Sequence, residues 1–302
     1  MNKRFLLSLV VSIFILYLLF SQFLNFDKFL AALSSVSILL FLASDLPYLV
    51  QAVLMGYRLS WSMRRSGVEA GWKDGFFAHL FGMLGSDFSV GRTGYLLSSL
   101  PFKSKLAGNI GVVSALTVVD VIAKAIFGTI SAVFLIYLFG VSINPTLFLF
   151  SVAVILGGIL FFTLIASQRS VKTVSKLPLL GKKLLPYYQD FRNSLESLKR
   201  NLLFLFIFPL LGWFLRGLEW NILGYAVGIF FPFHIWLMLH PILTLVRLIP
   251  VTVTGLGVFE ATLILLFPDI NPENLVVFGI LDMVNNSLVD IFGLFSLWKM
   301  RE

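Results

Sequence analysis

The sequence predicts an all-α polytopic membrane protein, and three observations carry that reading. Hydrophobic residues make up 58% of the 302 residues and charged residues 13%, about half the charge of a soluble domain. Mean hydropathy is +0.94. Six apolar runs, 5–24, 29–57, 106–139, 147–166, 202–231 and 275–298, reach the roughly 20 residues that a helix needs to cross about 30 Å of hydrocarbon. The absence of Cys excludes disulfides and thiolate metal ligands. The net charge of +8 clusters between the runs, where Lys and Arg set topology, so no nucleic-acid partner is expected.

Taken in order, the first run follows Lys3 and Arg4 as a signal peptide would. Ser21-Gln22-Phe23-Leu24 offers no small-residue cleavage site, so an uncleaved first helix is expected. The second run ends at a basic stretch holding Arg58, Arg64, Arg65 and Lys73. A second basic stretch, the linker 168–200, interleaves Lys and Arg with Leu and Tyr. It reads as a cytoplasmic loop or as an amphipathic helix on an anionic inner leaflet. The remaining connections are nearly free of Lys and Arg and read as external, so both termini are expected on the cytoplasmic side of a cell membrane.

This assignment leaves two segments that cannot be full spans. Residues 75–102 have two short apolar arms around Gly85-Ser-Asp-Phe-Ser-Val-Gly-Arg-Thr-Gly94, and 241–267 are interrupted by Pro250, Gly255 and Gly257. Broken backbone at membrane depth needs protein or a wet cavity to satisfy its freed N–H and C=O groups. Two re-entrant broken-helix hairpins are therefore expected, entering from opposite faces. With them, 29–139 and 202–298 each read as span, hairpin, span, the signature of inverted repeats within one membrane domain. The competing reading is that the glycines only serve helix packing.

Charges at membrane depth are expensive, about 2.5–3.5 kcal/mol each on insertion scales, and mark sites. Spacing pairs Asp120 with Lys124 and Arg216 with Glu219 on single helix faces, the expectation being structural ion pairs. At the hairpins, charge and backbone distortion coincide. Asp87, Gly91, Arg92 and Gly94 belong to the first, and Arg247, Gly255, Gly257 and Glu260 to the second. Arg92 and Arg247 carry the planar donor fork suited to phosphate or carboxylate, and the arm after Gly257 would turn unpaired N–H groups towards an anion. Alternatively Arg247 pairs with Glu260. These eight residues form the candidate substrate site for a membrane-lipid headgroup.

Catalytic parts are missing from the sequence. His79, His234 and His240 lack metal-ligand spacing, the aspartate cluster of lipid phosphotransferases is absent, and there is no nucleophile elbow or P-loop. No catalytic residue, metal or cofactor is therefore assigned.

The segment Leu248-Ile-Pro-Val-Thr-Val-Thr-Gly-Leu-Gly-Val-Phe-Glu260 resembles the signature of flippase-like membrane proteins related to the transmembrane region of lysylphosphatidylglycerol synthases. Ser89-Val-Gly-Arg-Thr-Gly94 is similar to that family's Pro-Gly-Arg-x-Gly-Glu segment, with Val90 in place of the proline and Tyr95 in place of the acid. The resemblance implies lipid translocation between leaflets, of an anionic or glycosylated headgroup. Synthesis would belong to a domain not found in these 302 residues, and a lipid-modifying synthase or glycosyltransferase is an implied partner. The alternative is an intramembrane lipid-modifying enzyme or the membrane subunit of such a complex.

Overall fold

The computed structural model describes residues 3–89, 92–139, 181–247, 252 and 255–300, and every regular element among them is helical. In chain order these are α1 (Lys3–Gln22), α2 (Phe26–Ser34), α3 (Ile38–Arg65), α4 (Trp72–Asp87), a 3-10 segment (Thr93–Ser99), α5 (Leu106–Phe139), α6 (Gly181–Leu198), a 3-10 turn (Lys199–Asn201), α7 (Leu202–Ala226), α8 (Phe233–Arg247), α9 (Val258–Leu266), α10 (Pro272–Asp290), a 3-10 turn (Ile291–Leu294) and α11 (Phe295–Lys299).

Among the described residues four helical stretches are long and apolar enough to cross a membrane, Ile38–Arg65, Leu106–Tyr137, Leu185–Ala226 and Pro272–Leu297. A fifth arises if α1 and α2, bent by 101° to each other, count as one broken span. The structure thus gives four or five where six were expected. The expected span 147–166 lies outside the described residues. The expected span 29–57 is split, because Ser37 is extended and caps α3 while α2 stops at Ser34. At nine residues α2 is about 14 Å long, too short to cross.

Capping explains the other boundaries. α3 continues through Arg58 to Arg65 because its apolar face does, and ends at Gly67 (φ 82°), where Val68 N–H donates to Met63 O at 3.0 Å. The same device stops α7 short of the apolar Phe231. Gly228 has φ 78° and Ile229 N–H donates to Gly224 O at 2.8 Å, a Schellman closure. Asn271 caps α10, Pro272 sits in its first turn, and Glu273 accepts Asn25 N–H at 2.9 Å, tying the start of α2 to the start of α10. Linker residues 181–198 are the helix α6, not a solvated loop. It packs on α5, where a Cβ at Gly111 would come within 2.7 Å of the Asp190 backbone. Residues 168–180 lie outside the described residues.

Packing is organised around α3 and α7, which lie against each other. α3 holds α4 and α7 holds α8, while α4 packs on α10 and its following turn, and α8 packs on α5. Gly56 and Gly75 bring α3 and α4 into backbone contact, since a Cβ at Gly75 would fall 2.2 Å from Gly56 O. One core cluster gathers Trp220, Trp236, Phe259 and Phe278, and a second gathers Leu59, Met63, Leu116 and Leu205. Polarity runs opposite to that of a water-soluble fold. Leu203 is 82% exposed and Leu39 79%, while Arg58 is 1% exposed and Asp282 and Asp290 are fully buried.

Candidate functional site

The first hairpin is built by α4 and the 3-10 segment folding back on each other. The fold requires glycine at the closest approach, because a Cβ at Gly94 would lie 2.0 Å from Gly85 O. Gly94 N–H donates to Ser89 Oγ at 2.8 Å. Arg92 turns the chain with φ 57°, a left-handed conformation that costs a non-glycine residue roughly 1–2 kcal/mol. Its guanidinium donates to Asp87 Oδ1 at 3.3 Å across the turn. Gly91 lies outside the described residues.

The second expected hairpin falls between α8 and α9, where 248–251 and 253–254 lie outside the described residues. Gly255 (φ 80°) and Gly257 (φ 86°) hold backbone that side chains with a Cβ resist. Gly255 also lies on Arg247, whose Cγ would be 2.8 Å from an added Cβ. Of the two readings of Arg247, the structure rules out one. Arg247 does not pair with Glu260. It donates to Asp282 Oδ2 at 2.5 Å and rests 3.7 Å over the Phe259 ring. Glu260 Oε2 accepts Gly257 N–H at 2.7 Å, capping its own helix. The start of α9 is thus filled by the chain's own carboxylate, and an incoming anion finds that N–H already taken. Glu260 packs against Gly279, leaving it 1% exposed.

Asp282 bridges two arginines. Its Oδ1 accepts Trp220 Nε1 at 2.7 Å and Arg216 Nη2 at 3.2 Å. Arg216 in turn donates to Glu219 Oε2 and Asn286 Oδ1, each at 2.5 Å, and to His240 Nε2 at 3.2 Å. Arg216 and Glu219 form the ion pair that their spacing suggests, as one link in this wider network. Asp120 and Lys124 do not pair. Arg58 reaches across from α3 and occupies both Asp120 oxygens at 2.6 Å, a bidentate arrangement that an ammonium cannot match.

The consequence is a cavity of about 230 Å³ between α3, α4, α5, α7, α8 and α10. Arg92, Lys124, Arg216 and Arg247 face it, against Asp120 as the acid on its wall. The carboxylates that balance the arginines, Asp87, Asp282 and Glu219, stand behind them. Lys124 forms no hydrogen bond or ion pair with any described residue, and the other three cations each hold a carboxylate. Tyr95, which stands where the resembled motif has an acid, joins His79 Nδ1 through its hydroxyl at 2.9 Å on the same wall. A smaller void of about 10 Å³, room for about one water, lies beside Arg92, Arg247, Asp87, Gly255 and Glu260. Of the eight candidate residues, Arg92 and Arg247 face the main cavity. Asp87, Gly255 and Glu260 reach only the small one, and Gly94 and Gly257 shape the turns.

Sequence reasoning missed Lys124 and Arg216 as cavity residues, because spacing alone paired both. It also placed Arg58 in a loop. The signal was present in Leu59, Trp61 and Met63, which continue the apolar face of α3 beyond it.

Fold and site together define a multi-pass helical membrane protein whose buried centre is a cavity in which cations outnumber acids among the charged side chains. The chain belongs to the family described as the lysylphosphatidylglycerol synthase TM region, whose sequence model matches residues 5–289. With that family comes a place among membrane proteins of lipid handling. No curated protein matches the chain.

Proposed function

We propose that the protein is a lipid flippase that carries the headgroup of a membrane lipid between leaflets through the central cavity. The observation that carries this reading is Lys124, which faces the cavity beside three arginines and forms no hydrogen bond or ion pair with any described residue. A charge in that position is costly unless something neutralises it, and the ligand that does so is an anion. This favours an anionic over a neutral glycosylated headgroup. Ligands of drug size occupy about 300–1,000 Å³, so a cavity of about 230 Å³ suits a compact headgroup such as a phosphodiester with a small alcohol.

The two broken hairpins, taken as re-entrant from opposite faces, would form the gates on either side of this cavity. The exchange of partners between halves, α4 on α10 and α8 on α5, supports reading 29–139 and 202–298 as inverted repeats, with both termini cytoplasmic in a cell membrane. The test is reconstitution into vesicles carrying fluorescent phosphatidylglycerol. Protein should speed loss of fluorescence to an external quencher beyond one leaflet's share, and Lys124→Met should slow it. Monodisperse protein that accelerates no lipid would overturn the reading.

A second reading, the membrane subunit of a lipid-modifying complex, rests on the family's description as part of a synthase. It predicts a separate catalytic partner co-purifying with the chain, and headgroup turnover that depends on that partner.

A further inference from the structure

The mechanism above leaves one group of buried side chains unused. Asp87 ends α4 and Asp290 ends α10; the two helices pack on each other, Asp87 lines the same small void as Asn286 one turn before Asp290, and the two carboxyl groups lie within hydrogen-bond reach. Asp87 is 5% exposed and Asp290 fully buried. Two carboxylates in contact away from water cannot both stay ionised, because like charges at that distance repel too strongly. Among the described residues the donors also fall one proton short. Tyr48 Oη is 2.9 Å from both oxygens of Asp290, and a phenol has a single proton, so it donates to one at a time. Arg92 donates to Asp87 Oδ1, while Asp87 Oδ2, buried, has no donor among the described residues. A proton held between the two aspartates supplies that missing donor.

Other charged groups that face the pair do not remove the excess. Arg247 and Arg216 are held by Asp282, Arg216 also by Glu219, and Arg216 lies over the Tyr48 ring at 4.9 Å. Asp282 adds a further acid nearby. Among the described residues that leaves Arg92 as the cation for two acids, and Arg92 also faces the cavity.

Resting on the flippase reading, we infer that Asp87 and Asp290 form a proton-binding site, and that the headgroup anion and one proton move together. When an anion draws Arg92 towards the cavity, Asp87 loses its counter-charge and the pair holds its proton more tightly. When the proton leaves, the pair pulls Arg92 back and the anion is released. By linkage the two ligands favour each other's binding. The transported unit is then electroneutral, and a pH difference across the membrane drives the lipid.

The experiment uses proteoliposomes with fluorescent phosphatidylglycerol, whose phosphodiester stays ionised, and with the membrane potential clamped by potassium and valinomycin. With equal pH on both sides, the protein should bring the probe to an even distribution faster than protein-free vesicles do. With a pH difference of about one unit, one proton per anion predicts about tenfold enrichment in the leaflet on the alkaline side. Asp290→Asn, which replaces the proton-holding acid by an amide of the same shape, should still equilibrate the probe but give an even distribution under the gradient. Accelerated exchange by the unaltered protein with no enrichment would overturn the coupling while leaving the flippase reading intact. Enrichment that follows a sodium gradient instead would also overturn it. No accelerated exchange at all would remove both. The measurement on the unaltered protein decides the matter even where the variant fails to stay monodisperse.

Discussion

Arg58 and Asp120 face each other across α3 and α5 through two parallel hydrogen bonds of 2.6 Å. The arginine is buried and the carboxylate sits on the cavity wall, so the pair fixes the distance between the two helices and leaves Lys124 unpaired one turn further along α5. Removing one member of a buried pair strands the other. Arg58→Ala is expected to destabilise the protein by about 3–5 kcal/mol, whereas the double change Arg58→Met with Asp120→Leu should recover most of that loss. Thermal unfolding of the detergent-solubilised variants checks it, and equal melting points for the single and double variants would refute it.

Lys124 should behave in the opposite way. With no ion pair to lose, Lys124→Met is expected to leave the melting temperature unchanged or raise it, since a buried unpaired charge is itself destabilising. Lipid exchange should fall by about tenfold to a hundredfold, the equivalent of one charge-assisted hydrogen bond of about 1.5–3 kcal/mol. A loss of stability without a change in exchange rate would place Lys124 in the scaffold.

Glu260 is expected to be a structural residue, not a headgroup contact. Glu260→Gln retains a side-chain acceptor at the third helical position and should keep both folding and exchange. Glu260→Ala should cost about 0.5–2 kcal/mol as a lost cap with exchange per folded molecule unchanged. If Glu260→Gln abolishes exchange in a fully folded protein, its charge has a role that capping does not describe.

Gly94 has no room for a methyl group, because the backbone oxygen of Gly85 occupies its place. Gly94→Ala must open the first hairpin, and overpacking of this kind costs about 1–3 kcal/mol. The expected outcome is lower yield of monodisperse protein together with slower exchange, as the displaced Arg92 leaves the cavity wall. Unchanged yield and exchange would show that the hairpin is looser than its contacts.

Topology is open to a labelling test. Single cysteines at Ser104 and Asn271, each next to one hairpin, should react with an impermeant maleimide from opposite sides of sealed vesicles. Reaction from the same side would break the inverted arrangement.

Periodicity and composition made the helical membrane class readable, along with α5, the body of α7 and the last long helix. What they could not show was where apolar runs break. Ser37 and Gly228 end helices by capping and left-handed backbone within runs that hydrophobicity alone reads as continuous. At the site, the coincidence of glycine and charge pointed to Arg92 and Arg247, and both face the cavity. The pairing of charges was not legible. Spacing of three or four residues ranks neighbours along one helix, and Asp120 is claimed from another helix by Arg58, which is distant in sequence. Asp282, central to the network, had no local partner to announce it.

The crossed packing of α4 on α10 has a bearing on how the chain is made. The first hairpin is synthesised long before the helix that shields its polar end, and at about 5–20 residues per second Asp87 waits tens of seconds for its neighbour. During that interval an unfinished, charged turn must be sheltered by the insertion machinery or held out of the lipid. Nascent chains halted before Pro272 should therefore leave residues 85–94 open to protease, and chains released after Lys299 should protect them.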